Sequence, residues 1–280
     1  MAYARFERRV HRGGRVLSSI TKAVIPCGGK GTRMSALTRG AAKELLPLRG
    51  VPLVLRVMRE CAASGVREVL IVSSPGKGDL ERIALDAAGK PGMPATISIA
   101  VQKEPRGLGD AIRLAEKFTG SDPFGVALPD NLFAGDAHAL GQLVAVHQRT
   151  GKSVVAIVEL TAVNRLSYGP TAIFPGRANG DEFLIEMIPD KGPRQASFDT
   201  AGSPSAFTGV GRYVFLPEVF RTIDEIESTL ASGEELDDVP VMQLLLRRAR
   251  LTGCRIRGEF FDVGLPAGYR IANERLRDDS

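Results

Sequence analysis

The sequence predicts an α/β fold: a mixed, mostly parallel sheet flanked by helices, with a smaller antiparallel subdomain on the substrate side. Three observations carry this. Short apolar runs alternate with longer amphipathic ones from Lys22 to Leu160. Glycines and prolines punctuate the junctions. Beyond Tyr168 the pattern changes to short extended pieces separated by Gly and Pro clusters.

The elements follow in order. Lys22–Cys27 reads as a short buried strand ending in glycines. Pro52–Ser64 reads as a helix, with Pro at its start and Gly65 just past its end. Glu68–Ser73 is a β-branched strand, Asp79–Ala88 a helix and Thr96–Gln102 an alternating strand. Leu108–Phe118 is expected to be one helix, and Phe124–Leu128 a strand ending in Pro129-Asp130. Ala137–Arg149 is a helix and Ser153–Leu160 a strand. Short extended pieces follow at Thr171–Phe174, Glu182–Ile188 and Gly209–Phe215, then helices at Leu216–Leu230 and Val239–Ala249. Arg255–Phe261 is a last strand, and Ala267–Leu276 a closing helix. Ligands of such sheets bind beyond the carboxyl ends of the strands, where both Cys27–Gly31 and Pro129-Asp130 lie.

At 280 residues the chain can bury a sizeable core, and with no Trp and 6% aromatics that core is aliphatic. The net charge of +5 invites a nucleic-acid partner, but residues 1–20 hold Arg5, Arg8, Arg9, Arg12 and Arg15 against Glu7 alone. The excess sits on a basic N-terminal arm, and the body is balanced, so no nucleic-acid partner is expected. The arm lacks the apolar stretch of a secretory signal. No apolar run approaches the roughly 20 residues that span a bilayer, so no membrane partner is expected either. Three widely spaced cysteines, Cys27, Cys61 and Cys254, form no disulfide or zinc pattern. The expected setting is cytoplasmic. The division read here is the arm at 1–20 and one domain over 21–280. Within it, the alternating part runs from about 21 to 165, the part with short extended pieces from about 166 to 262, and a helix closes the chain.

The strongest local signal is Gly28-Gly29-Lys30-Gly31-Thr32-Arg33-Met34, directly after the first strand. Its glycines let backbone N–H groups approach phosphate oxygens, and the Arg33 fork suits phosphate geometry. Lys43, twelve residues after Gly31, supplies a second cation. Met34 stands where a dinucleotide fingerprint needs its third glycine, which argues against an oxidoreductase. In Gln102–Ala111, Gln102 carries a donor and an acceptor for a pyrimidine edge. Asp130 and Asp262 each follow a hydrophobic strand and precede a loop, and two carboxylates with phosphate oxygens and water make an Mg²⁺ site. Singly, either Asp reads better as a helix cap or turn residue, and it is the convergence of signals on one rim that favours the metal site. His11, His138 and His147 read as surface or packing residues, and no Ser/His/Asp or Cys/His constellation is evident.

Together these segments resemble the sugar-phosphate nucleotidylyltransferases, and within them the bacterial UTP–glucose-1-phosphate uridylyltransferases. Lys22–Leu48 carries the family's Gly-x-Gly-Thr-Arg-Met and Lys-Glu-Leu-Leu-Pro, and the match continues through Leu128-Pro129-Asp130, Tyr168-Gly169, Val210–Val214 and Asp262–Tyr269. The resemblance implies a Rossmann-like sheet and an Mg²⁺-dependent transfer of a uridylyl group from UTP to glucose 1-phosphate, releasing pyrophosphate. It implies that Gly28, Gly29, Gly31 and Thr32 hold base and phosphates, that Arg33 and Lys43 are catalytic and bind the triphosphate, and that Glu44 touches the base. It further implies that Gln102 and Gly107 read the pyrimidine, that Asp130 and Asp262 carry Mg²⁺, and that Gly169, Asp190 and Lys191 bind the sugar phosphate, with Glu186 as a rival to Asp190. A homo-oligomer is expected. The alternatives are dTTP or another sugar 1-phosphate within the class, and a non-catalytic nucleotide-sugar-binding regulator outside it. Ala42 stands where the family places proline, and Glu234–Gln243 replaces its usual acidic motif near the C-terminus.

Overall fold

The computed structural model describes residues 19–160, 174–190 and 206–276. Residues 1–18 of the basic arm lie outside them, as does most of the extended piece at Thr171–Phe174. β1 (Lys22–Pro26) leads through a 3-10 turn and the short α1 (Ser35–Thr38) into a two-stranded ribbon, β2 (Pro47–Leu48) and β3 (Val51–Pro52). α2 (Leu53–Ala63), β4 (Glu68–Ser73), α3 (Gly78–Ala87) and β5 (Thr96–Val101) follow. The helix expected over Leu108–Phe118 is two, α4 (Leu108–Arg113) and α5 (Glu116–Thr119). They part where the Ala115 N–H bonds back only three residues, to Ile112 O at 2.9 Å, tightening the turn. β6 (Phe124–Ala127), β7 (Asn131–Ala134), α6 (Ala139–Thr150) and β8 (Ser153–Leu160) complete the first half.

The second half holds β9 (Gly176–Asn179), β10 (Glu182–Ile185), β11 (Ala206–Phe215), α7 (Glu218–Glu227), α8 (Asp238–Arg247), β12 (Leu251–Arg255), β13 (Glu259–Asp262) and α9 (Pro266–Arg275). The strand expected over Arg255–Phe261 is divided between β12 and β13, which join different sheets.

Among the described residues the main sheet has nine strands in the order β5-β4-β1-β6-β11-β8-β12-β10-β9. β11 runs antiparallel between β6 and β8, and the β9–β10 hairpin extends the edge beyond β12. The later extended pieces therefore enlarge the main sheet. β11 belongs in its middle because it is buried along most of its length on both faces, as a central strand must be. Two small antiparallel ribbons, β2–β3 and β7–β13, lie outside the main sheet.

Both faces of the sheet are covered. Along β1, Ala23 and Ile25 enter one core with Val57, Met58, Leu80 and Leu143 of α2, α3 and α6. Val24 enters the other, with Ile112, Phe220, Ile223 and Leu245 of α4, α7 and α8. All three cysteines are free and buried. Among the described residues no helix is long and apolar enough to cross a membrane.

β5, β4, β1 and β6 are neighbours and parallel, with Pro26 opposite Val72 and Val72 opposite Ala100. Their carboxyl ends form one rim. The chain moves outward from β1 to β4 and β5, then returns to the other side of β1 as β6. That reversal opens a crevice between the loops that follow β1 and β6.

Candidate active site

The loop Cys27–Gly31 leaves β1 into this crevice. Gly28 is buried beneath Gln102, and a methyl there would overlap the Gln102 Oε1. Only glycine fits so close an approach. Gly29 and Lys30 are exposed. Thr32 and Arg33 are also exposed, while Met34 plugs the turn into the core at 1% exposure. Met34 is thus an anchor of the loop, where a dinucleotide fold would have a glycine. Among the described residues no hydrogen bond engages the N–H groups of Gly28, Gly29, Lys30 and Gly31, and no acid pairs with Arg33.

Sequence reasoning missed the residue that shapes this loop. Lys77, in the turn after β4, donates from Nζ to the carbonyl oxygens of Cys27 and Gly29, the latter at 2.9 Å. It also reaches Glu44 Oε1 at 3.2 Å and Oε2 at 3.1 Å. One ammonium thus draws two loop carbonyls inward and satisfies the buried Glu44. Burial pushes the Glu44 carboxyl up, and Lys77 and Lys43 offset this only in part. Glu44 sits beneath the loop, bound to Lys77. Burial, with Glu44 beside it, holds the Cys27 thiol well above its ordinary value, so Cys27 is no thiolate nucleophile.

Gln102 ends β5. Its Nε2 donates to Gly107 O at 3.1 Å and to Asp110 Oδ2 at 2.8 Å. Gly107 adopts φ 107°, and a side chain there would overlap Leu236 O. The segment before α8 clamps this turn: Leu236 N–H donates to Arg106 O at 2.6 Å, and Asp110 N–H to Leu236 O at 3.3 Å. The glycine expected to help read the pyrimidine is thus already required by Leu236.

Asp130 follows β6, and Asp262 ends β13. The β7–β13 ribbon places Asn131 opposite Asp262, and Val263 N–H donates to Asp130 O at 2.9 Å. A methyl built on Gly264 would lie 3.0 Å from Asp130 Oδ2 and 3.2 Å from Asp262 Oδ1, so both carboxylates face one small space. Lys43 Nζ donates to Asp130 Oδ2, and Asn131 Nδ2 to Asp130 Oδ1 at 3.0 Å. Burial acts to push the Asp130 carboxyl up, but the Lys43 charge and hydrogen bond outweigh it and hold the group below its ordinary value.

A second residue without an assigned role supports this turn. Arg212 of β11 is fully buried and donates from Nη1 to Leu128 O and from Nη2 to Asn131 O, at 2.8 and 2.7 Å. Its Nε and Nη2 also meet the Glu60 carboxylate of α2 at 3.0 and 2.8 Å. Arg212 therefore holds the backbone on both sides of Asp130.

The sugar-side residues stand apart. Asp190 is exposed, and its Oδ1 accepts from Gln243 Nε2 of α8 at 2.8 Å. Glu186 is exposed just past β10. β10 lies four strands from β6, roughly 19 Å at ordinary strand spacing. No hydrogen bond or ion pair among the described residues joins Asp190 to the carboxylate pair. Gly169 and Lys191 lie outside the described residues.

The carboxylate pair fits a hard divalent cation. Both donors are oxygens, and Mg²⁺ takes few protein ligands, completing its shell with water and phosphate. No group of three or more His, Cys, Asp or Glu among the described residues makes a closed cage. The arrangement suits a metal shared with a phosphate substrate.

The nucleotidyl transferase family model matches residues 22–279. A UTP–glucose-1-phosphate uridylyltransferase of Staphylococcus epidermidis is 28% identical over 271 residues, covering 90% of this chain and 91% of the relative. UTP–glucose-1-phosphate uridylyltransferase 2 of Staphylococcus saprophyticus is 28% identical over 288 residues, covering 94% and 96%. A solved UDP-glucose pyrophosphorylase, complexed with UDP-glucose, is similar with a TM-score of 0.77 at 26% identity, covering 91% of this chain and 97% of that one. A glycine loop after the first strand, two convergent carboxylates and a match over nearly the whole chain lead to one conclusion: the chain belongs to the nucleotidyl transferase family.

Proposed function

We propose that this protein transfers a uridylyl group from UTP to glucose 1-phosphate, giving UDP-glucose and pyrophosphate. The observation that carries the reading is the convergence of Asp130 and Asp262 beside Lys43, whose stem packs against Gly31 of the glycine loop. The relatives' uridylyltransferase names and the UDP-glucose held by a structural neighbour support the choice of group.

An oxygen of the sugar phosphate attacks the α-phosphorus of UTP. A new P–O bond forms, the bond to the β-phosphate oxygen breaks, and pyrophosphate leaves with that electron pair. The attacking oxygen is already ionised at neutral pH, so the protein need supply no nucleophile. Its contribution is positioning and charge. The N–H groups of Gly28, Gly29 and Gly31 and the Thr32 hydroxyl face the phosphates, and the Arg33 fork binds them bidentately. Lys43 shifts between Asp130 and the departing pyrophosphate, whose charge rises as the bond breaks. Gln102 and Gly107 hold the base, with Glu44 fixing the loop beneath it. Gly169, Asp190 and Lys191 hold the sugar phosphate. Asp130 and Asp262 would hold Mg²⁺, which as a Lewis acid would neutralise phosphate charge and template both substrates.

Pyrophosphate release from UTP and glucose 1-phosphate, with dTTP and other sugar 1-phosphates in parallel, tests the reading. Asp130→Asn and Asp262→Asn should each lower kcat by at least about 100-fold with the fold retained. Release with no sugar phosphate would refute the transfer, and full activity of both variants would refute the carboxylate assignment.

A further inference from the structure

We infer that Asp110 is a specificity-determining positioning residue: it locks the Gln102 side chain so that only its carbonyl oxygen is offered to the base. The inference rests on the uridylyl-transfer reading and extends it to how the base is told apart.

An amide side chain has a donor end and an acceptor end, and the surrounding network decides which way it points. Both partners of Gln102 Nε2 are acceptors. One is Gly107 O at 3.1 Å, and the other is Asp110 Oδ2 at 2.8 Å. A flipped amide would set Oε1 against both, carbonyl against carbonyl and carbonyl against carboxylate. The lock is backed in turn, because Arg113 Nη2 holds Asp110 Oδ1 at 2.7 Å and Asp110 is 5% exposed. Arg113 is itself held by Glu227 of α7.

Oε1 is thereby directed at Gly28, the residue whose missing side chain makes room for it. Among the described residues no donor reaches Oε1, and no side-chain oxygen is both buried and unpartnered. Oε1 therefore keeps an opening beside the nucleotide loop as an acceptor with unused capacity. The pairing edge of uracil has one donor, N3–H, between two carbonyl acceptors. A locked acceptor takes that N3–H and opposes the N3 lone pair of cytosine at the same place. Thymine carries the same N3–H as uracil, so the lock does not separate those two. A site built around a specific hydrogen bond rejects an analogue that cannot make it, because its buried group is left unpaired.

Asp110→Asn tests this with little change of shape. Arg113 keeps the Asn oxygen, so the new NH2 faces Gln102 Nε2, donor against donor. The amide then no longer has one favoured orientation. The measurement is kcat/KM for UTP, dTTP and CTP with glucose 1-phosphate as acceptor. The expected result is a fall of at least about tenfold in the UTP-to-CTP ratio, with the UTP-to-dTTP ratio within about twofold of the parent. Merely structural damage would lower all three alike. A folded Asp110→Asn that keeps the parent UTP-to-CTP ratio overturns the inference, as does a parent that accepts CTP as readily as UTP. If thermal denaturation shows that Asp110→Asn does not fold, Arg113→Gln removes the backing and keeps Asp110. There a fall of about threefold in the same ratio is expected, and an unchanged ratio overturns the inference. Failure of the transfer reading is distinct, since the parent would then release no pyrophosphate from any pyrimidine triphosphate.

Discussion

The two sides of the crevice are built differently. On the β4–β5 side, Glu44, Gln102 and Asp110 are buried, and Lys77, Gly107 and Arg113 satisfy them. On the β6–β13 side, Asp130 and Lys43 keep about a fifth of their side chains exposed, at 21% and 19%, and Arg33 across the loop is open to solvent. The difference follows the work of each side. Reading a base needs donors and acceptors fixed in advance, and burial fixes them. Handling a polyphosphate needs charges that can change partner, and such groups must stay within reach of solvent. Rigidity on that side moves one layer down, to Arg212, which grips the backbone before and after Asp130.

The largest expected effect comes from removing that lower layer. Arg212→Leu takes the buried guanidinium from the part-buried Glu60 carboxylate, which keeps only the Leu140 N–H, and strips donors from Leu128 O and Asn131 O. Breaking one side of a buried ion pair costs about 3–5 kcal/mol. Urea unfolding should show an unfolding free energy lower by that amount, read as a lower midpoint with an unchanged slope. A loss below about 1 kcal/mol would place the rigidity of the Asp130 turn elsewhere.

Next comes the closed side. Lys77→Met removes the ammonium from Cys27 O, Gly29 O and Glu44 together. A charge-assisted contact of this kind contributes about 1.5–3 kcal/mol, so KM for UTP should rise about ten- to a hundredfold. The kcat should change little, because Lys77 shapes the loop and touches no reacting atom. An equal loss in kcat with KM unchanged would assign Lys77 to the chemistry.

The two sides also differed in how far they could be read from sequence. The glycine loop, Gln102 and Asp130 were legible because each ends a short apolar run, and such punctuation is local. That Asp262 meets Asp130 depends on the β7–β13 pairing, which spacing alone does not reveal. Lys77 was hidden because Ser74-Pro75-Gly76-Lys77-Gly78 has the composition of any solvated turn. Asp110 was hidden because an acid in the first turn of a helix already has a reason to be there. Arg212 did leave a signal. An arginine inside the apolar run Val210–Phe215 implies a buried partner, but that partner, Glu60, lies 152 residues away. The place of β11 in the middle of the sheet is hard to see in the sequence, because Gly209 and Gly211 break the look of a central strand.

The smallest expected effect sharpens the contrast, because it depends on the open side's exchangeable pair. Burial pushes the Asp130 carboxyl up, but the Lys43 ammonium outweighs it, so the folded pKa lies below the ordinary value. Burial pushes Lys43 down, and Asp130 outweighs that in turn, so its folded pKa lies above the ordinary one. A depressed carboxyl stabilises the fold above its unfolded value, about 3.9, and loses that contribution as pH falls through the folded value. A raised lysine stabilises the fold below its unfolded value, about 10.4, and loses that contribution as pH rises through the folded one. The pair therefore contributes a plateau across the neutral range that declines at both ends. Asp130→Asn removes the charge with little change of shape. With both side chains part-exposed, solvent screening limits the expected stability difference to roughly 1 kcal/mol. That difference should be constant between about pH 5 and pH 9 and narrow below about pH 4. Thermal unfolding of parent and variant across this range measures it. A difference that persists undiminished at about pH 2 would mean that Asp130 stabilises the turn through its hydrogen bonds alone, and Lys43 would then be no more exchangeable than Lys77.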